Sequence, residues 1–207
     1  MTVHQRRSMR FAELSIEYDD RVLEPRPWTQ VQSAWAAELA QAADPGTLLE
    51  LCSGAGHIGL LAAFLSRRDL VAVDVDPTAC SFMRLNAEAA GLSHRVEVRE
   101  ARLQDALAAD ERFVVAVADP PWVTSGAIDR FPDDPALAID GGPDGLQVAL
   151  ACVAACRDHL SAAGSLLVQL GDADQADRLV AALSGGGWQV GERRQGLGGV
   201  VVQLLHP

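Results

Sequence analysis

Thr47-Leu48-Leu49-Glu50-Leu51-Cys52-Ser53-Gly54-Ala55-Gly56-His57-Ile58-Gly59 is the stretch on which the fold turns. Thr47 to Cys52 is a short apolar run of strand length, and Ile58 to Leu65 reads as an apolar helix. Between them lies a turn of small residues, whose glycines let the backbone come close to a ligand. Gly54 to Gly59 matches G-x-G-x-x-G, the turn that takes a pyrophosphate in dinucleotide enzymes. Glu50 argues for a different ligand. A carboxylate just ahead of the turn repels pyrophosphate and favours a cation, and S-adenosylmethionine carries both an ammonium and a sulfonium.

Working outward, Leu70 to Val75 is a second strand with an acid, Asp74, near its end. It comes one βαβ unit after the turn, where a carboxylate accepts hydrogen bonds from ribose hydroxyls. Thr78 to Ala90 reads as a helix stopped by Gly91. Val96 to Arg99 and Arg112 to Ala118 read as strands, and Leu146 to Leu160 as a long helix. Ser165 to Leu170 is a further strand, Gln175 to Leu183 a helix, and Trp188 to Glu192 with Gly199 to Leu205 a closing antiparallel pair. The alternation predicts a Rossmann-like α/β domain over 44–207, with a mostly parallel seven-stranded sheet and helices on both faces. Ligands bind beyond the carboxyl ends of strands in such sheets. Residues 1–43 form a lead-in to the same compact unit. Phe11 to Leu23 reads as a hairpin turning at Tyr18 to Arg21. Pro25 to Trp28 breaks the pattern, and Thr29 caps a helix from Val31 to Ala42.

The 207 residues suffice for one domain with a sizeable core. The net charge is −11, and every positive residue is Arg. An acidic chain is a poor partner for a long phosphate backbone. No run approaches the length of a membrane span, and the basic start, Met1 to Arg10, lacks the apolar region of a signal peptide. A cytoplasmic protein with no membrane partner is expected. Cys52, Cys80, Cys152 and Cys156 lack C-x-x-C spacing, so reduced, packed thiols are expected, and no metal. His57 reads as a residue that packs or caps the turn helix.

Asp119-Pro120-Pro121-Trp122 follows the fourth strand. Two prolines remove two N–H donors and leave a wall of acceptors, which suits an –NH2 group. Trp122 offers a face for stacking on a planar substrate and attracts developing positive charge. Asp119, Pro120 and Trp122 are the candidate catalytic set, with Asp119 able to take the departing proton.

At these residues the chain resembles the HemK-type (PrmC-type) methyltransferases, which modify a glutamine side-chain amide in translation release factors. Val22-Leu23-Glu24-Pro25-Arg26-Pro27-Trp28-Thr29 resembles the family's lead-in, and Glu50 to Gly56 its first cofactor motif. Asp74 to Ala79 with Asn86-Ala87 resembles the second motif. Ala136-Leu137 and Gly141 to Leu146 resemble its A-L-x-x-G-G-x-D-G-L segment. The resemblance implies a class I methyltransferase fold and S-adenosylmethionine as cofactor. It implies cofactor contacts from Glu50, Cys52, Gly54, Gly56, Asp74, Val75, Arg102, Asp119 and Thr29, and substrate contacts from Arg26, Trp28, Pro121 and Trp122.

The chain departs from that family in four respects. Asp119 stands for Asn, as in adenine amino-group methyltransferases, and Trp122 stands for Tyr. Cys52 stands for the usual Gly, with Arg102 about where an acid would meet the adenine. The N-terminal docking domain of bacterial members is expected to be absent, as in short relatives that use an activator subunit. The expected function is therefore N-methylation of a small molecule or a nucleobase amino group. Methylation of a protein glutamine amide is the alternative, and a silent S-adenosylmethionine-binding subunit is the third. An activator subunit or a homodimer are the partners left open.

Overall fold

The computed structural model describes residues 4–196 and 198–205, so Met1 to Val3 of the basic start lie outside the described residues. Seven strands make the central sheet. They are β3 (Thr47–Leu51), β4 (Leu70–Asp74), β5 (Val96–Glu100), β6 (Phe113–Ala118), β7 (Leu160–Leu170), β8 (Gln189–Gly196) and β9 (Gly199–Leu205). Their spatial order is β5-β4-β3-β6-β7-β9-β8. The first five run parallel, while β9 pairs antiparallel with both β7 and β8. Chain order reverses between β3 and β6, which opens a crevice at their carboxyl ends. The Gly turn follows one of these strands and Asp119 the other.

Two apolar layers cover the sheet. One gathers Trp35, Leu60, Leu61, Met83 and Val115 under α1 (Gln30–Ala42), α2 (His57–Ser66) and α3 (Pro77–Ala89). The other gathers Leu49, Val73, Ala116, Cys152 and Leu166 under α5 (Gln147–Cys156) and α6 (Ala173–Ala182). A short helix, α4 (Ala136–Ile139), precedes the second group. The central strands are apolar on both faces because both faces are covered.

The lead-in is a hairpin of β1 (Arg7–Phe11) and β2 (Leu14–Tyr18). Its turn lies at Ala12-Glu13, with Ala12 at φ +50°, and not at Tyr18 to Arg21 as expected. Leu14, Ile16 and Tyr18 alternate inward, so the predicted period is present in β2. Thr29 makes no side-chain cap; its hydroxyl donates back to the Arg26 carbonyl at 2.7 Å. The helix expected to reach Leu160 ends at Cys156. β7 starts at Leu160 and carries an irregularity opposite β6, with Ala163 at φ +60°.

Candidate cofactor and active site

The ends of β3, β4, β5 and β6 converge on one cavity of about 330 Å³. Cys52, Ser53, Gly54 and Ala55 line it from the first turn, Asp74, Val75 and Asp76 from the second, and Arg102 and Gln104 from the third. Asp119 and Pro121 line it from the fourth. Residues from Arg21 to Val148, far apart in sequence, thus share a space of the size that small ligands use.

The turn is built for close approach. Gly54 and Gly56 have φ +52° and +85°, and a Cβ on Gly54 would meet no atom within 4 Å, so its outer side is open. The Gly54 N–H donates to Asp74 Oδ2 at 2.7 Å, and the Asp76 N–H to Asp74 Oδ1 at 2.9 Å. Asp74 therefore ties the two turns together and lines the cavity. Burial raises its carboxyl above the usual range, against the pull of these backbone donors. Gly56 serves packing: a Cβ there would overlap the Met83 thioether.

Glu50 is 2% exposed and lies behind the turn, outside the cavity lining. Its Oε1 accepts from the Gly59 N–H at 2.8 Å, and its Oε2 has no partner. Burial pushes its pKa up to about 8, with Asp74 and Asp119 adding to the rise. The charge argument made from sequence is thereby modified. Burial favours the neutral carboxyl of Glu50 near pH 7, and a cation placed close to it would favour the anion.

Asp119 lines the cavity, and burial pushes its pKa up to about 7, partly offset by Arg26. Pro120 is buried beneath it. Trp122 is half-buried and is not among the lining residues. Its ring covers Gly171, where a Cβ would come within 2.5 Å of it. Its carbonyl accepts from Gln175 Nε2 at 2.9 Å. The same nitrogen donates to the Gly145 carbonyl, and Gln175 Oε1 accepts from the Gly171 N–H at 2.8 Å. One buried side chain thus fixes three loops around the Asp-Pro-Pro-Trp segment.

Arg26, Trp28 and Thr29 also lie off the cavity lining. Arg26 donates to both Asp134 carboxylate oxygens at 2.8 and 2.9 Å, and its guanidinium sits 6.0 Å from the Trp28 ring centroid. Arg21, Val22 and Leu23, just upstream, and Pro135 and Leu137, just downstream of Asp134, do line the cavity. The ion pair therefore ties together two segments of the cavity wall.

Gln32 and Gln175 escaped the sequence reading, and Asn86 was read there only as part of the second motif. Gln32, fully buried on α1, donates to the Ala118 carbonyl and the Leu167 carbonyl, both at 3.0 Å. It braces the strand end from which Asp119 emerges. Asn86 joins the hairpin to the Gly turn: it donates to the Glu17 and Ala55 carbonyls and accepts from the Glu17 N–H. Its period on α3, with Ala79, Phe82 and Met83 buried, was the available signal. His57 packs edge-on against Phe11, with ring centroids 5.0 Å apart, and burial lowers its pKa to about 3. Among the described residues, no group of three or more His, Cys, Asp or Glu side chains is placed to hold a metal ion.

The model of the family described as "Conserved hypothetical protein 95" matches residues 23–133. The chain is 34% identical to a release factor glutamine methyltransferase of Deinococcus radiodurans, over 83% of this chain and 62% of that one. It is 30% identical to the protein of the same name from Rhodopirellula baltica, over 77% and 57%. It is also 34% identical to a ribosomal protein uL3 glutamine methyltransferase of Bordetella pertussis, over 59% and 43%. The chain thus spans between 43% and 62% of the lengths of these curated relatives. Among solved structures, the hMettl16 catalytic domain in complex with a MAT2A 3′UTR hairpin superposes with a TM-score of 0.77 at 17% identity, over 94% of this chain and 76% of that one. A ribosomal protein L11 methylase from Lactobacillus delbrueckii subsp. bulgaricus superposes with a TM-score of 0.62 at 15% identity, over 88% and 80%. At these identities the superpositions establish the class I methyltransferase fold.

Proposed function

We propose a reaction for this chain from one premise: it belongs to the family described as "Conserved hypothetical protein 95" and is a homologue of the HemK-type (PrmC-type) methyltransferases. The reaction is methyl transfer from S-adenosylmethionine to the side-chain amide nitrogen of a glutamine in a protein. The observation that carries it is the meeting of Asp119 with the two cofactor turns in one cavity. The names of the relatives favour a protein glutamine over the small molecule expected from sequence.

The residues fit the cofactor. Burial raises Glu50, Asp74 and Asp119 above the usual carboxylate range, so a cationic ligand held beside them favours their charged forms. Asp74 offers oxygens at the position for ribose hydroxyls. Gly54, open on its outer side, admits close approach. S-adenosylmethionine, when bound, supplies an electrophilic methyl group. Asp119 and the Asp-Pro-Pro backbone carbonyls hold the –NH2 hydrogens, which aims the nitrogen lone pair and serves as a proximity effect. Ionised Asp119 also accepts the proton released from that nitrogen. Gln32 and Gln175 hold the segment rigid from outside the cavity.

A second reading rests on Asp119 itself. A carboxyl in place of an amide also suits the amino group of a nucleobase. Labelled S-adenosylmethionine offered to ribosomal and release-factor proteins, RNA and a protein-free metabolite pool separates the readings. Label recovered as methylated glutamine is expected. Label only in RNA or only in metabolites would overturn the glutamine assignment. Tight S-adenosylhomocysteine binding with no label anywhere would make the chain a silent binding subunit.

A further inference from the structure

Cys52 combines three features that the proposed chemistry leaves unused. It stands at the end of β3 with φ +57°, a left-handed conformation that non-glycine residues rarely adopt. It lines the cofactor cavity and is half-buried, whereas Cys80, Cys152 and Cys156 are buried. Its Sγ lies 3.8 Å from Cys152 Sγ on α5. A glycine would relieve the backbone at this position but would leave Cys152 without its thiol neighbour.

We propose that Cys52 and Cys152 are an oxidisable thiol pair, closed to a disulfide by a hydroperoxide, and that the closed form binds the cofactor more weakly. The half-buried Cys52 reacts first. Its sulfur attacks one peroxide oxygen, the O–O bond breaks, and a Cys52 sulfenic acid and one hydroxyl product (water, in the case of hydrogen peroxide) result. Cys152 sulfur then attacks Cys52 sulfur. The S–S bond forms, the S–O bond breaks, and the hydroxyl leaves as water with the Cys152 proton. Two thiols lose two electrons in all, and the peroxide gains them.

Bonding distance, about 2.05 Å, requires the sulfurs to close by nearly half their separation. The pull falls on residue 52, two positions before Gly54, whose N–H is held by Asp74 Oδ2 at 2.7 Å. Displacing this turn disturbs the wall against which the cofactor is proposed to lie, so the effect on affinity rests on that reading. The contact with Cys152, together with burial, raises the Cys52 thiol well above its ordinary range. The thiolate is the reactive form, so oxidation accelerates as pH rises.

The test uses the reduced full chain, which has four free thiols. After hydrogen peroxide treatment, two thiols should remain. Non-reducing peptide mapping should join Cys52 to Cys152, and S-adenosylhomocysteine affinity should fall by about tenfold or more, a loss of about 1.4 kcal/mol. Dithiothreitol should restore it. Cys152→Ala should bind S-adenosylhomocysteine as the reduced protein does and form no internal Cys52 disulfide after peroxide. Cys152→Ser serves the same purpose if the smaller side chain unfolds the protein. Four surviving thiols, a Cys152–Cys156 linkage, or a mapped Cys52–Cys152 bond with unchanged affinity would each overturn the proposal. Reduced protein that fails to bind S-adenosylhomocysteine would overturn the cofactor reading, while the peptide map would still decide whether the pair closes.

Discussion

Glu50→Gln should make the protein more resistant to rising pH while weakening its hold on the cofactor. The Glu50 carboxyl is 2% exposed, and its pKa is raised from the ordinary 4.5 to about 8. In the unfolded chain the proton leaves near 4.5; in the folded chain it stays until about 8. Folding stability from this group is therefore full below the unfolded value, falls as pH rises between the two, and is constant above the folded value. The slope is about 1.4 kcal/mol per pH unit, so the interval from pH 6 to 8 carries about 2–3 kcal/mol. Gln retains an oxygen for the Gly59 N–H. Its –NH2 falls where Oε2 has no partner, a penalty of about 1–3 kcal/mol that does not change with pH. The diagnostic quantity is thus the change in the wild-type-minus-variant difference, not the difference at one pH. Urea unfolding from pH 6 to 8.5 measures it and stays clear of the sequence pI near 4.8, where association is promoted. The variant should gain about 2–3 kcal/mol on wild type across that range. Parallel stability curves would refute the assignment of a proton to buried Glu50. Calorimetry gives a second reading: wild type should release more protons than the variant on binding S-adenosylmethionine at pH 7.

Other residues give sharper functional outcomes. Asp119→Ala should lower turnover by at least about a hundredfold with little change in S-adenosylhomocysteine affinity, and near-normal turnover would remove Asp119 from the chemistry. The pKa of Asp119, pushed up to about 7, predicts that kcat/KM rises with pH through that value as the carboxylate forms, and that this limb is absent in Asp119→Asn. Asp74→Ala removes the acceptor of two backbone N–H groups, so cofactor affinity should fall about ten- to a hundredfold; unchanged binding in calorimetry would end the ribose assignment. Gln175→Ala leaves the Trp122 and Gly145 carbonyls and the Gly171 N–H without that partner. It should cost about 2–4 kcal/mol in denaturant unfolding and lower kcat more than cofactor affinity.

The sheet was legible because β3, β4, β6 and β9 are apolar runs, and because helical and strand periods differ. The cofactor turns were legible because their residues are consecutive in the chain. The hairpin turn was misplaced because Ala12, which adopts φ +50°, carries no turn signal, while polar Tyr18 to Arg21 does. The early stop of α5 was missed because Arg157, Asp158 and His159 beyond it do not forbid helix. Gln32 and Gln175 were missed for a common reason: a polar side chain on an amphipathic helix reads as surface until its distant partners are known. Asn86 stood out only as part of the second motif, and its bonds to the hairpin and the Gly turn depend on the same distant partners. Gln32 shares its face with Ala36 and Ala40, all buried, so the four-residue spacing held the clue.

Asp119 shows why one substitution in a motif decides less than it first promises. An ionised carboxylate only accepts hydrogen bonds, whereas a protonated carboxyl accepts through one oxygen and donates through the other, much as an amide both accepts and donates. With its pKa pushed up to about 7, Asp119 is divided between these forms at neutral pH. Asp in place of Asn therefore keeps an accepting oxygen in either form, which is compatible with a glutamine substrate. Arg26 lowers this pKa, and Arg26 is itself neutralised by Asp134 at 2.8 Å. Removing the Asp134 charge would leave Arg26 unopposed and favour the Asp119 carboxylate. The segments Arg26 and Asp134 tie together thus influence both the shape of the cavity wall and the protonation of Asp119 within it.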